Sequence, residues 1–160
     1  MPIDKEVKKI KFTNKWQKRF LDMAEGIGNW SKDRSTKVGC VIVDDNRVIL
    51  ATGYNGFPRG INDDVDERHD RPAKYQWTEH AERNAIYSAA RNGIKLDGST
   101  MFVPWLPCID CMRGIVQSGI KTVVTKKLDD GDAKAVRWAE SHKFSLALIE
   151  ESDVELIWFK

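Results

Sequence analysis

Three short runs rich in β-branched and aromatic residues, STMFVPW (99–105), KTVVT (121–125) and VELIWF (154–159), are separated from one another by stretches long enough for a helix each. Strands joined through helices need crossover connections, and such crossovers leave successive strands parallel. More than any feature of composition, this spacing limits the second half of the chain to a parallel sheet with helices packed on it. The intervening segments agree, with helical patterns from about His80 to Arg91, from Cys108 to about Ser118, and through AKAVRWAESHKFSLALIEE (133–151). Upstream, VGCVIV and RVILATGY flank Asp44, Asp45 and Asn46, a pattern of two strands joined by a tight turn, hence antiparallel. In NKWQKRFLDMAEGIGNW, Trp16, Phe20, Met23, Ala24 and Ile27 recur at three- and four-residue spacing and predict an amphipathic first helix. INDDVDERHDRPAKYQW (61–77) has mixed charge, a proline and neither periodicity, and reads as a long loop. The expectation is an α/β fold of three layers, α/β/α, around a mixed five-stranded sheet, with residues 1–160 as a single domain.

At 160 residues and 41% hydrophobic content, the chain has enough material for one buried core. MPIDKEVKKIKFTNKW lacks the apolar segment of a signal peptide, and no stretch approaches the roughly 18 apolar residues of a membrane span, so a soluble, cytoplasmic protein is expected. Three cysteines in such a chain argue against a disulfide framework and leave Cys108 and Cys111 to metal or redox chemistry. A net charge of +2 gives no footprint of a dedicated nucleic-acid binder, and the seven basic residues from Lys5 to Arg19 read as a solvated helix face.

Two stretches carry the chemistry: TEHAERNAIYSAA (78–90) and PWLPCIDCM (104–112). Each opens a helix, and in an open α/β sheet helix starts gather along one edge, where ligands bind. His80, Cys108 and Cys111 supply the imidazole and thiolates that zinc takes in tetrahedral geometry, leaving a fourth position for water. Pro107 suits a helix start, and the positive end of that helix favours thiolates over thiols. Glu82 as a fourth ligand would leave no place for a reacting water, so it is assigned as general acid and base. Taken singly, the cysteine pair also fits a redox motif and His80 a structural histidine. Cys40, inside VGCVIV, reads as a buried, unreactive thiol. His69 and His142 read as solvated.

HAERNAI and PCIDC resemble the two zinc-binding halves of the cytidine deaminase superfamily, with its H-x-E and P-C-x-x-C pattern. WSKDRSTKVGCVIV leading into GYNGFPRG, and NDDVDER before the histidine, are similar to the deoxycytidylate deaminases, particularly bacterial and phage members; the likeness spans residues 16–125 and weakens after Thr125. The resemblance implies a cytidine deaminase-like fold and one catalytic Zn²⁺ per chain on His80, Cys108 and Cys111. It implies hydrolysis of dCMP to dUMP and ammonia, which supplies thymidylate synthesis. Glu82 would shuttle a proton from water to N3 of the base, the backbone N–H of Ala81 would hold O2, and Asn55 would hydrogen-bond the sugar, although Asn-Gly is also a common turn. Among the cations near these motifs, Lys32, Arg34, Lys37 and Arg59, the expectation settles on Arg34 and Arg59 as phosphate contacts, with Trp105 as a wall for the base. The resemblance further implies a homo-oligomer, dimer or hexamer, in the host cytoplasm if phage-encoded. Regulation by dCTP and dTTP near Gly56 to Glu67 would need Mg²⁺ beside Asp63, Asp64, Asp66 and Glu67. Another cytosine nucleotide (dCTP, CMP or modified dCMP), a tRNA adenosine deaminase and a non-catalytic zinc domain stay open; the second calls for a basic surface and the third has no use for Glu82.

Overall fold

The computed structural model describes residues 11–160; the stretch 1–10 lies outside, and with it Lys5, Lys8 and Lys9 of the basic run and most of the segment examined for a leader. The order is α1 (Asn14–Gly28), β1 (Gly39–Val43), β2 (Ile49–Tyr54), α2 (Lys74–Trp77), α3 (Ala81–Arg91), β3 (Thr100–Phe102), α4 (Ile109–Gln117), β4 (Thr122–Thr125), α5 (Ala133–Glu151) and β5 (Glu155–Trp158). The five strands form one mixed sheet in the order β2-β1-β3-β4-β5. β1 runs antiparallel to both β2 and β3, while β3, β4 and β5 are mutually parallel, as the helix-separated spacing requires.

Alternation along the strands builds a core on each face of the sheet. Val41, Val43, Phe102 and Val124 face Phe20, Leu21, Ala24 and Ile27 of α1, and the Phe12 ring meets Phe102 edge-on at 5.5 Å. Cys40, Ile42, Met101, Val103 and Val123 point the other way, toward Ala81, Ala85 and Ala89 of α3, Met112 and Ile115 of α4, and Leu148 and Ile149 of α5. One helix thus covers one face and three cover the other, a three-layer α/β/α arrangement. The β1–β2 turn is closed by Asp44, whose carboxylate accepts from the N–H groups of Asn46 (2.8 Å) and Val48 (2.9 Å). No helix among the described residues is long and apolar enough to cross a membrane.

The segment 61–77 is more structured than the loop expected for it. It holds a 3₁₀ turn at Asp66–Arg68 and the short α2, fixed by Arg68 over the Trp77 ring (4.0 Å) and by Lys74 reaching a buried carboxylate at Asp33 (3.0 Å). Elements of three or four residues are too short to display a period, so local patterning misses them. The solvated histidines are also corrected. His69 stacks on Phe57 at 4.8 Å with Nε2 2.5 Å from the Asp63 carbonyl, and His142 is half-buried, its basicity lowered by that burial.

Candidate active site

His80 is the N-cap residue of α3 and Cys108 that of α4; neither helix start has a side-chain cap, so the first N–H groups of both, Ala81 among them, lack intrahelical partners. His80 is aimed by its neighbours. Gly56 and Glu79 exchange backbone hydrogen bonds (3.1 and 2.8 Å), and Asn84 Nδ2 donates to the Tyr54 carbonyl (2.9 Å), locking the helix start to the end of β2. Gly53 lets α3 lie this close, since a Cβ there would sit 2.3 Å from the Ala81 carbonyl oxygen. The α4 start is fastened by α5: Ser141 Oγ accepts from Ile109 N (2.9 Å), and the buried Ser145 hydroxyl donates to the Pro107 carbonyl (2.8 Å). Trp138, one turn earlier on α5, sets its ring edge-on to His80 at 5.8 Å.

These supports bring His80, Cys108 and Cys111 into one cluster, with ligand atoms all within 4.8 Å of one another. His80 Nδ1 lies 3.4 Å from Cys108 Sγ and 3.5 Å from Cys111 Sγ. A tetrahedral ion with bonds of roughly 2.0–2.1 Å to nitrogen and 2.3 Å to sulfur has N···S edges of about 3.5 Å, which both observed N···S distances match. Glu82, 4% exposed, places Oε2 3.5 Å from Cys111 Sγ.

The charges are crowded. Cys108 ionises most readily, held down to about 4 by the hydrogen bond from Cys111 and then by His80, against its burial. Cys111 is pushed well up by the anionic sulfur beside it and by burial. Burial opposes a charged His80, but the Cys108 hydrogen bond and the Glu82 charge raise its basicity overall. Burial raises Glu82. Two thiols and a carboxyl that resist becoming anions side by side in a buried space are the natural seat of a cation, which relieves their mutual repulsion and displaces the protons. Arg83, drawn by the charges of Cys111 and Glu79 despite some burial, adds a further positive field.

The cluster borders a cavity of about 680 Å³, its open mouth included, lined also by Thr36, Val38, Asn55, Tyr75, Thr78, Ala81, Trp105, Trp138 and His142. Asn55 is buried, with Oδ1 accepting from Val38 N and Nδ2 donating to the Thr36 carbonyl, each at 2.8 Å; one amide hydrogen remains for a ligand. Trp105 lies beyond β3 and borders the cavity. Arg34 and Arg59 do not line it: Arg34 pairs with Asp66 at 2.6 Å, and Arg59 lines a separate pocket with Tyr87, Ser88 and Arg91. The cavity's cations are instead Arg71, Lys74 and Arg137. Lys74 and Asp33 form a buried pair within it; burial works against the Asp33 charge, but N–H donors from Thr36 and Ser35 together with Lys74 keep the carboxyl below its usual range.

Sequence patterning passes over Asp33, Arg71, Lys74, Arg137, Trp138 and His142. The α5 residues carried a usable signal, because Trp138, Ser141, His142 and Ser145 recur at helical spacing and mark one face. Arg71 and Lys74 sit in the segment without periodicity and gave none.

Comparison with known proteins agrees with this geometry. The family described as the cytidine and deoxycytidylate deaminase zinc-binding region matches residues 14–127. An uncharacterised deaminase of Aliivibrio fischeri is 40% identical over 145 residues, covering 91% of this chain and 94% of that one. Human deoxycytidylate deaminase is 35% identical over 130 residues, covering 76% and 72% respectively. The crystal structure of dCMP deaminase from cyanophage S-TIM5 with dCMP and dUMP superposes with a TM-score of 0.71 at 27% identity, covering 91% of this chain and 97% of that one. The chain belongs to the cytidine and deoxycytidylate deaminase family.

Proposed function

We propose that this chain hydrolyses dCMP to dUMP and ammonia. The observation that carries the proposal is the buried Glu82 carboxylate, 3.5 Å from Cys111 in a cluster whose N···S distances suit zinc, at one end of a cavity open to a small molecule. A zinc ion held by His80, Cys108 and Cys111 supplies the Lewis acidity that makes water nucleophilic near neutral pH. Glu82 takes a proton from the attacking water and delivers it to N3 of the base. The C4–O bond forms as that proton moves. Glu82 then takes the remaining proton from the new C4 hydroxyl and passes it to the amino group, and the C4–N bond breaks to release ammonia, so one carboxyl serves as base and then as acid. The Ala81 N–H, left free at the helix start, donates to O2, and the spare Asn55 amide hydrogen goes to the sugar. Trp105 and Trp138 wall the base and exclude water around it.

The names of the relatives support the cytosine nucleotide, and the S-TIM5 complex supports this monophosphate in particular. The modest net charge of +2 argues against a folded RNA as substrate. The second pocket, with the guanidiniums of Arg59 and Arg91 beside Gly56, Phe57 and Tyr87, suits a nucleoside triphosphate effector such as dCTP or dTTP. Asp63 is already paired with Lys32 and Asp66 with Arg34, which leaves Asp64 and Glu67 of the acidic group for Mg²⁺. Assembly as a dimer or hexamer belongs to the same proposal.

Ammonia release from dCMP, CMP, dCTP and a tRNA anticodon stem, measured side by side on protein of known zinc content, tests it. Turnover of dCMP well above the others is expected, with about one zinc per chain. Zinc-loaded protein that releases no ammonia from dCMP overturns the proposal.

A further inference from the structure

We infer that Arg71 and Arg137 form a clamp for the 5′-phosphate of the substrate and so set the preference for nucleotide over nucleoside. The inference rests on the cytosine nucleotide reading above. Arg71 enters the catalytic cavity from the segment before α2, and Arg137 enters it from the early part of α5. Both also line a shallower pocket that adjoins the cavity and runs between Ser35–Lys37 and the start of α5. The two guanidiniums therefore stand where the cavity meets solvent. A base seated against His80 and Glu82 sends its sugar and phosphate toward that opening.

Charge matching separates these two arginines from the paired cations around them, and position separates them from Lys37, which lines the shallower pocket but not the catalytic cavity. Lys32 pairs with Asp63 (2.9 Å), Arg34 with Asp66 (2.6 Å) and Lys74 with Asp33 (3.0 Å), and Lys134 lies 3.7 Å from Asp132. Arg71 meets only neutral groups, giving Nε to the Tyr75 hydroxyl (2.9 Å) and one terminal nitrogen to Ser35 Oγ (3.2 Å). Those bonds orient the fork without neutralising it. Arg137 has no hydrogen bond or ion pair among the described residues. The carboxylates that border the same openings are engaged: Asp33 by Lys74, and Asp132 by the N–H of Lys134, which it caps at 2.7 Å. A phosphate monoester carries about −1.5 to −2 charges at pH 7 and presents three acceptor oxygens, the complement of two planar, unneutralised forks. Arg137 lies beyond residue 127, where the family match ends, so this half of the clamp comes from the chain's own C-terminal helix.

Arg71→Gln and Arg137→Gln test the clamp, with Arg113→Gln, an exposed arginine of α4 paired to Asp110, as the control for loss of charge. Each clamp variant should lose about 10- to 100-fold in kcat/KM for dCMP, mainly through KM, as expected for removing a hydrogen bond to a charged group. Activity toward deoxycytidine, melting temperature and zinc content should match wild type. Binding of dUMP by calorimetry needs no turnover, and it should weaken by the same factor in the clamp variants and not in the control. A wild type that binds dUMP but releases no ammonia from dCMP refutes the proposed reaction and leaves the clamp to be judged by binding. Clamp variants that bind dUMP as wild type does, a wild type that binds no dUMP, or equal losses toward dCMP and deoxycytidine overturn the clamp itself.

Discussion

Replacing Gly53 by alanine should damage the site from behind. Gly53 sits in β2 directly under α3, and an added Cβ would fall 2.3 Å from the Ala81 carbonyl oxygen and 2.5 Å from the Ala85 nitrogen, where real Cβ contacts stay above 3.0 Å. The obstruction is backbone on all sides, so no side chain can swing away. The gap must widen by at least 0.7 Å. β2 is held by its ladder to β1 from Gly39↔Tyr54 to Val43↔Ile49, so the start of α3 yields instead. That displaces His80 and Glu82 relative to Cys108 and Cys111, which ride on α4. Overpacking of this kind costs about 1–3 kcal/mol, a fall of roughly 2–12 °C in melting temperature for a chain of this size. A misplacement near 1 Å at reacting groups costs on the order of 100-fold in rate. Differential scanning fluorimetry, zinc content and kcat/KM for dCMP are the readouts. Gly114→Ala provides the comparison, because its Cβ would meet only the Ile86 and Arg83 side chains at 3.6 and 3.9 Å; inside α4 it should stabilise by about 0.5–1 kcal/mol. A Gly53→Ala protein that melts and turns over like wild type refutes the packing argument.

Glu82→Gln keeps the shape of the side chain but removes its proton transfer, so turnover should fall by about 10²- to 10⁴-fold with zinc retained. Cys108→Ala should lose zinc and thermal stability as well; a Glu82→Gln protein that loses its zinc would make the glutamate a ligand. Lys74→Met strips a buried carboxylate of its cation, and because Asp33 keeps three donors from Ser35 and Thr36 the loss should sit near the low end of roughly 3–5 kcal/mol at pH 7. The Asp33 carboxyl is held below its ordinary value of 3.8, so the stability it adds is present above that pH and is lost as pH falls through the lower folded value. The gap between wild type and Lys74→Met should therefore close below about pH 4, and a gap that stays constant in acid unfolding would refute the pairing as its cause.

What the chain displays locally and what it hides divide along physical lines. β3 and β4 of the parallel half are legible because their runs are buried on both faces, and the half-exposed edge strand β5 because it follows a helix-length segment. His80 with Glu82, and Cys108 with Cys111, are legible because both members of each pair sit on one helix start, where spacing alone sets their geometry. Whether an arginine is free to meet a phosphate is a long-range property. Arg34 lies beside the motifs yet is neutralised by Asp66, thirty-two residues away. Arg137 is remote in sequence yet borders the cavity. His142 shows the same limit: a histidine near the end of the chain reads as solvated until α5 lays it against the site.

α5 links parts of the site that sequence order separates. The hydroxyls of Ser141 and Ser145 hold the segment that carries Cys108, the Trp138 ring packs against His80, and Arg137 stands at the mouth. One helix therefore sets the distance between the His80, Cys108 and Cys111 cluster and the cation that faces solvent. The first group bears on the geometry of the reacting end, and the last on the grip at the far end of the substrate. Because the two act at opposite ends of one nucleotide, substitutions on a single helix should divide by residue: loss of the serine fastenings disturbs zinc and turnover together, whereas loss of the guanidinium leaves both in place and weakens only the hold on the phosphate. Interactions shared by ground and transition states change KM, and those that position reacting groups change kcat. The parting of these two constants along α5 thus maps where binding ends and chemistry begins in the cavity.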